Sequence, residues 1–112
     1  MRTPSLLLAA LLVFSCTVYV SAQTNTPVFT TNLSLGSRGM EVLALQKALN
    51  QDPATRIAST GPGSLGSETD YFGPLTKTAV IRFQEKYAND VLIPVGLSVG
   101  SGYAGPATRA KL

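Results

Sequence analysis

Apolar residues fall into one long run and three shorter periodic patches along this 112-residue chain. From Leu6 to Val20 they are nearly unbroken. In the second patch Val42, Leu45 and Leu49 stand at i, i+3 and i+7, with Leu43, Ala44 and Ala48 widening the face. That spacing predicts an amphipathic helix beginning near Met40. Glu41 falls in its first turn, where the helix dipole favours an anion, and Asn50 and Pro53 mark its exit. In the third patch Leu75, Ala79, Phe83 and Tyr87 recur every four residues, and Val80 fills the same face. Thr76, Lys77, Arg82, Glu85 and Lys86 are assigned to the polar side of this second helix. Gly73 suits the loop-to-helix corner, and Pro74 fits the first helical position, where its missing N–H costs nothing.

The last patch is a shortened copy of the third. Tyr71-Phe-Gly-Pro-Leu-Thr-Lys-Thr-Ala79 aligns with Tyr103-Ala-Gly-Pro-Ala-Thr-Arg-Ala110. Leu45-Gln46 in the first helix likewise parallels Phe83-Gln84 in the second. Self-similarity of this kind suggests helical units built to pack on one another. Gly105-Pro106 opens a third helix, and the chain stops barely two turns into it. The expectation is that the sequence is a piece of a longer protein, since such a helix would normally run another turn.

Between the helices lie two long connections. Residues 51–69 are rich in Thr, Ser, Gly and Pro and hold the breaker cluster Thr60-Gly-Pro-Gly-Ser-Leu-Gly66. Residues 88–102 pass through Val91-Leu92-Ile93-Pro94 and then Gly96, Gly100 and Gly102. Loops of this length in a small domain are functional or disordered. Ahead of the first helix, Leu33 and Leu35 alternate in a short extended lead-in. The expected architecture is therefore all-α: a three-helix bundle over residues 33–112 with two long irregular loops, a polar Thr-rich tether over 23–32, and a targeting segment over 1–22.

That targeting segment reads as a secretory signal. Arg2 supplies the positive start, the apolar run is shorter than the about 20 residues of a spanning helix, and Val20-Ser21-Ala22 offers small residues for cleavage before Gln23. Two alternatives stay open: an uncleaved membrane anchor, and a lipoprotein in which Val13-Phe14-Ser15-Cys16 serves as a loose lipobox and Cys16 is lipidated. Cleavage before Gln23 would leave a chain without cysteine, which suits an oxidising extracytoplasmic compartment.

Composition narrows the chemistry. The chain has no His, one Cys and a net charge of +3, with nine cations scattered along it. Nucleic-acid binding calls for clustered Lys and Arg, which are absent from the sequence. One cysteine excludes an internal disulfide framework and a multi-cysteine zinc site, so no metal or cofactor is expected. Without His there is no Ser-His or Cys-His arrangement. Glu68 and Asp70 are close in sequence, but nothing near them would split their pKa values as paired-carboxylate catalysis needs. Enzymatic activity is not expected.

Three motifs together carry a family resemblance. Leu35-Gly-Ser-Arg-Gly-Met-Glu-Val-Leu-Ala-Leu-Gln-Lys-Ala-Leu49 resembles the opening of a type 1 peptidoglycan-binding domain, with its Gly pair, Val, Leu-Gln and further Leu. Phe72-Gly-Pro-Leu-Thr-Lys-Thr-Ala-Val-Ile-Arg-Phe-Gln84 is similar to that family's second helix, and Gly105-Pro-Ala-Thr-Arg-Ala-Lys-Leu112 to its third. The resemblance covers residues 33–112. It implies a non-catalytic three-helix bundle that binds bacterial cell-wall peptidoglycan, through glycan strand or stem peptide, and that often accompanies a wall-active enzyme domain. The links at 51–69 and 88–102 are longer than the family's, and the second lacks the common Asp-Gly pair before its Gly-Pro. The alternative expectation is a cell-surface protein-interaction or assembly module that uses these loops.

Candidate groove residues are Arg38, Asp70, Tyr71 and Tyr103. Tyrosine offers a flat face and a hydroxyl to sugar rings or peptide stems, and otherwise caps the end of the bundle. Arg38 can pair a stem-peptide carboxylate through its planar fork, or stand as a solvated surface charge. Asp70 can bond backbone N–H groups of its own turn. Gln46 and Gln84 are either glycan ligands or amides that fix a neighbouring loop, since one amide satisfies several backbone groups. Thr76 and Thr108 are expected to satisfy free N–H groups of their first turns.

Overall fold

The computed structural model describes residues 28–112. The expected signal segment, Cys16 and residues 23–27 of the tether lie outside them. The described residues form an all-helical domain of four α-helices with no strand: α1 (Met40–Asn50), α2 (Pro74–Lys86), α3 (Ala88–Val91) and α4 (Pro106–Lys111). Two 3-10 turns, Pro53–Thr55 and Ile93–Val95, punctuate the long links. Neither link is as irregular as expected. Tyr87 closes α2 and its carbonyl accepts from Asp90 N and Val91 N, so the chain turns into α3 without a loop. Val91 and Leu92 are buried there. The three-residue apolar run Val91-Leu92-Ile93 before Pro94 is too short to display helical periodicity.

The core is built from one face of each long helix. Val42, Leu45 and Leu49 of α1 meet Ala79, Val80 and Phe83 of α2, and Leu33, Ile57, Phe72 and Ala104 close the ends. Two sequence assignments on α2 change. Leu75 is 56% exposed and Thr76 is buried. The true inward stripe runs Thr76, Ala79, Val80, Phe83 and Gln84, a 3-and-4 spacing that leaves Leu75 about 100° off the core face.

The long first link is held by α1's last residue. Asn50 is fully buried. Its Nδ2 donates to Gly63 O at 2.9 Å and Glu68 Oε2 at 2.8 Å, and its Oδ1 accepts from Ile57 N at 2.9 Å. Ile57 is thereby drawn into the core rather than into an extended pairing. The Asn50 amide, ahead of the other contacts, holds the Glu68 carboxyl below its ordinary value. Asp52 pairs with Lys86 at the end of α2, and Asp90 of α3 pairs with Lys111 of α4 at 3.0 Å. Exposed pairs of this kind contribute little.

The tether docks. Phe29 packs on the core, while Val28 is exposed. Glu41 accepts from Thr30 N at 2.9 Å, Thr30 Oγ1 at 2.7 Å and Thr31 N at 3.1 Å. From the other side Arg109 donates to Phe29 O at 3.1 Å and Asn32 Oδ1 at 2.9 Å. Glu41 is thus a clasp, beyond its place in the helix dipole. The Thr30 hydroxyl first, then the Thr31 N–H, hold its carboxyl below the usual range. The sign follows from linkage: a depressed native pKa gives stability that is present above the unfolded value, about 4.3 for glutamate, and is lost as pH falls through the lower native value. The Thr30 and Thr31 amide proton shifts are therefore expected to stay constant down to that region and to move together below it. In Glu41→Gln that shared transition should vanish. A transition at or above the ordinary glutamate value in the native chain would refute the clasp.

Candidate functional site

The corners at Tyr71 and Tyr103 share one hydrogen-bonding plan. At the first, Gln46 reaches from α1. Its Nε2 donates to Tyr71 O at 2.8 Å and Thr76 Oγ1 at 3.1 Å, and its Oε1 accepts from Thr69 N at 2.6 Å. At the second, Gln84 reaches from α2. Its Nε2 donates to Tyr103 O at 2.9 Å and Thr108 Oγ1 at 3.1 Å, and its Oε1 accepts from Gly102 N at 2.9 Å. Both glutamines are buried, as are both threonines. The threonine hydroxyls are acceptors for the glutamines, and not caps of their own first turns as expected from sequence. Helix α2 therefore serves twice, as the second helix of one unit and the first of the next. The Gln-to-Tyr separation is 25 residues in the first unit and 19 in the second, so the longer first link absorbs six more residues without altering the corner.

A second pair of hydroxyls belongs to the plan. Thr69 Oγ1 accepts from Tyr71 N at 3.3 Å, and Ser101 Oγ accepts from Tyr103 N at 3.1 Å. The sequence reading missed both. Their signal was a hydroxyl two residues ahead of each corner tyrosine, within segments set aside as loop.

One segment seals both corners. Leu33 and Ala104 exchange backbone bonds, with Ala104 N donating to Leu33 O at 2.8 Å. Three residues on, Gly36 N donates to Phe72 O at 2.8 Å and Phe72 N to Ser37 O at 2.9 Å. Gly39 N donates to Asp70 O at 2.9 Å, and Gly39 then turns into α1 at φ 124°, a value open to glycine.

Each corner carries a small cleft. The first, of about 190 Å³, lies between Gln46, Ile57, Pro62, Tyr71, Leu75 and Thr76. The second, of about 200 Å³, lies between Gln84, Val95, Leu97, Tyr103, Ala107 and Thr108. Both are mainly apolar, with a Gln amide and a Thr hydroxyl on the wall, and no charged side chain lines either. Tyr71 is 39% and Tyr103 45% exposed. Each ring lies over the glycine two residues later: a Cβ on Gly73 would come within 3.2 Å of the Tyr71 ring, and one on Gly105 within 3.1 Å of the Tyr103 ring. Glycine at these corners thus lets the ring lie flat along the cleft. A wider depression of about 480 Å³ lies between Pro53, Arg56, Leu65 and Arg82, where the Arg82 guanidinium donates to the Arg56 carbonyl.

Of the candidate groove residues, the structure brings three together and separates the fourth. The Arg38 guanidinium stacks on the Tyr71 ring at 4.4 Å from its centroid. Asp70 adjoins them and is exposed. Tyr103 sits at the second cleft, with Gln84. Among the described residues no cluster of His, Cys, Asp or Glu is placed to hold a metal ion, and no helix is long and apolar enough to cross a membrane.

Comparison with protein-family models, curated proteins and solved structures finds no match to the chain.

Proposed function

We propose that this chain is a non-catalytic module that binds bacterial cell-wall peptidoglycan and holds itself, or a wall-active enzyme domain joined to it, at the wall. The observation that carries this reading is the pair of uncharged clefts, each walled by a half-exposed tyrosine that a buried glutamine and a close-packed glycine hold in place. A flat aromatic face beside fixed amide and hydroxyl groups is suited to a sugar ring, whose C–H faces are apolar and whose edges hydrogen-bond. In this reading α1, α2 and α4 are the three helices of the bundle, α3 is an elaboration of the second link, and residues 1–22 direct secretion. The extracytoplasmic location then follows, with lipidation at Cys16 or an uncleaved N-terminal anchor as the alternatives.

Ile93, Val95, Leu97 and Val99 are exposed along the second link. That run favours the second reading, a cell-surface protein-interaction or assembly module. The two separate experimentally. Purified sacculi should retain the chain, and excess soluble glycan fragments should release it. No retention would defeat the wall-binding reading, and retention that free glycan leaves untouched would favour a protein partner.

A further inference from the structure

We infer that the two corner clefts are equivalent subsites that take successive units of the glycan strand itself, so that the chain reads a repeating polymer at two points. This inference rests on the wall-binding reading above. Three observations carry it. The first is duplication of the bonds that fix each tyrosine. Gln46 and Gln84 donate to the carbonyls of Tyr71 and Tyr103 and to the hydroxyls of Thr76 and Thr108 at distances that agree within 0.1 Å, and the cleft volumes are nearly equal; only the N–H that each amide oxygen takes differs, Thr69 at one corner and Gly102 at the other. A core does not require this. The fully buried residue after each tyrosine is Phe72 at one corner and Ala104 at the other, so the packing differs where the Gln–Tyr and Gln–Thr bonds do not.

The second observation is size. At about 200 and 190 Å³ each cleft falls short of the roughly 300–1,000 Å³ of a pocket for a drug-sized ligand. Each accommodates one ring or acyl group of a larger molecule. Two such clefts on one rigid body fit a ligand that presents the same small group twice. The backbones of the two corners lie close enough to permit it: both pair with the segment from Leu33 to Arg38, whose five residue steps span at most about 18 Å.

The third is charge. Stem peptides carry carboxylates and ammonium groups, which need opposite charges or a solvated rim. Neither cleft has a charged lining residue, and the nearby Arg38 is engaged with the face of Tyr71. Sugar rings with N-acetyl groups, whose one acidic group, the muramic lactyl carboxyl, is taken up in the wall by the amide to the stem, match the linings better.

The test is an NMR titration of the full chain with three ligands: one peptide-free N-acetylglucosamine–N-acetylmuramic acid disaccharide with its lactyl carboxyl capped as the simple amide, a peptide-free strand of several such capped disaccharides, and the free stem peptide. The disaccharide is expected to shift amides at 71–76 and 103–108 in parallel. The strand should bind at least about tenfold more tightly than the disaccharide, because the second contact becomes intramolecular. Tyr71→Ala and Tyr103→Ala should each silence their own corner, leave the other responsive as an internal check of folding, and reduce strand affinity to the disaccharide level. A response at one corner only, a strand advantage that survives both single variants, or shifts caused by the stem peptide would each overturn the inference. If sacculi retain the protein while the peptide-free strand moves neither corner, wall binding stands and the two-point reading falls. No retention by sacculi removes both.

Discussion

Phe72→Ala is expected to cost about 3–5 kcal/mol, the range for removing a buried aromatic ring and leaving part of its cavity behind. Phe72 is fully buried and is the largest of the fully buried side chains. Collapse around the gap is opposed from two sides. Its N–H and carbonyl are pinned to Ser37 and Gly36, and Tyr71, one residue earlier, is pinned to Gln46 through its carbonyl. A domain of this size has about 5–15 kcal/mol of stability in total, and each kcal/mol moves its melting temperature by about 4–8 °C. A loss of roughly 12–40 °C should follow. Phe72→Leu, which keeps most of the volume, should lose less than about 1.5 kcal/mol. Thermal unfolding followed by circular dichroism measures both. A loss under about 1 kcal/mol for Phe72→Ala would show that the first corner relaxes freely, and the rigidity ascribed to its cleft would go with it.

The helical class and the two long helices were legible because each carries a stripe that obeys the 3.6-residue period, and α4 was legible as a copy of the Gly-Pro opening of α2. The repeat was legible because its anchors, a Gln after a large apolar residue (Leu45-Gln46, Phe83-Gln84) and Tyr-X-Gly-Pro, occur in both copies. Three things were not legible, each for a physical reason. Thr76 and Thr108 look like surface first-turn residues. Their burial depends on a glutamine 30 residues earlier in one case and 24 in the other, which no local pattern announces. Leu75 looks like core by hydrophobicity, but the inward face of α2 is set by where Gln46 must reach Thr76, and that phase leaves Leu75 in solvent. The tether's docking depends on Glu41 and Arg109 meeting Thr30, Thr31, Phe29 and Asn32 across the fold. Charge–polar contacts of such separation leave no periodic trace.

The same limit applied to the groove. The sequence marked Arg38, Asp70, Tyr71 and Tyr103 by their chemistry and grouped them as one surface. The fold splits them, because each tyrosine belongs to its own Gln–Thr unit. Gln46 and Gln84 act through backbone and hydroxyl partners in the interior. Each also lines its cleft, so the amide that positions the tyrosine carbonyl is part of the wall a ligand would meet.

Gln46→Leu and Gln84→Leu make the same chemical change at equivalent places, and their consequences are expected to differ. Leucine keeps most of the volume but removes every partner of the amide. In Gln46→Leu the Tyr71 carbonyl and the Thr69 N–H lose their bonds, and in Gln84→Leu the Tyr103 carbonyl and the Gly102 N–H do. A fully buried group left unpaired costs about 1–3 kcal/mol; two of them set an upper range of about 2–6 kcal/mol, and because all of these bonds but the one from Gly102 N are part-buried the loss is expected in its lower half. Gln46 joins α1 to α2, the two long helices that share the core, and its loss should lower the melting temperature of the whole domain. Gln84 fastens α4, a helix of six residues, far below the length that holds in water without tertiary support. Its loss should release residues 100–112 first and leave α1 and α2 protected. Native-state hydrogen exchange separates the outcomes: uniform loss of protection in Gln46→Leu, and loss confined to α4 and the Tyr103 corner in Gln84→Leu. If α4 amides in Gln84→Leu kept the protection of α1 and α2, the corner would be held by something other than the carboxamide, and the two units would not be equivalent. If they exchange as expected, Gln84→Leu also becomes a chain with one cleft, in which binding at the Tyr71 corner can be measured alone.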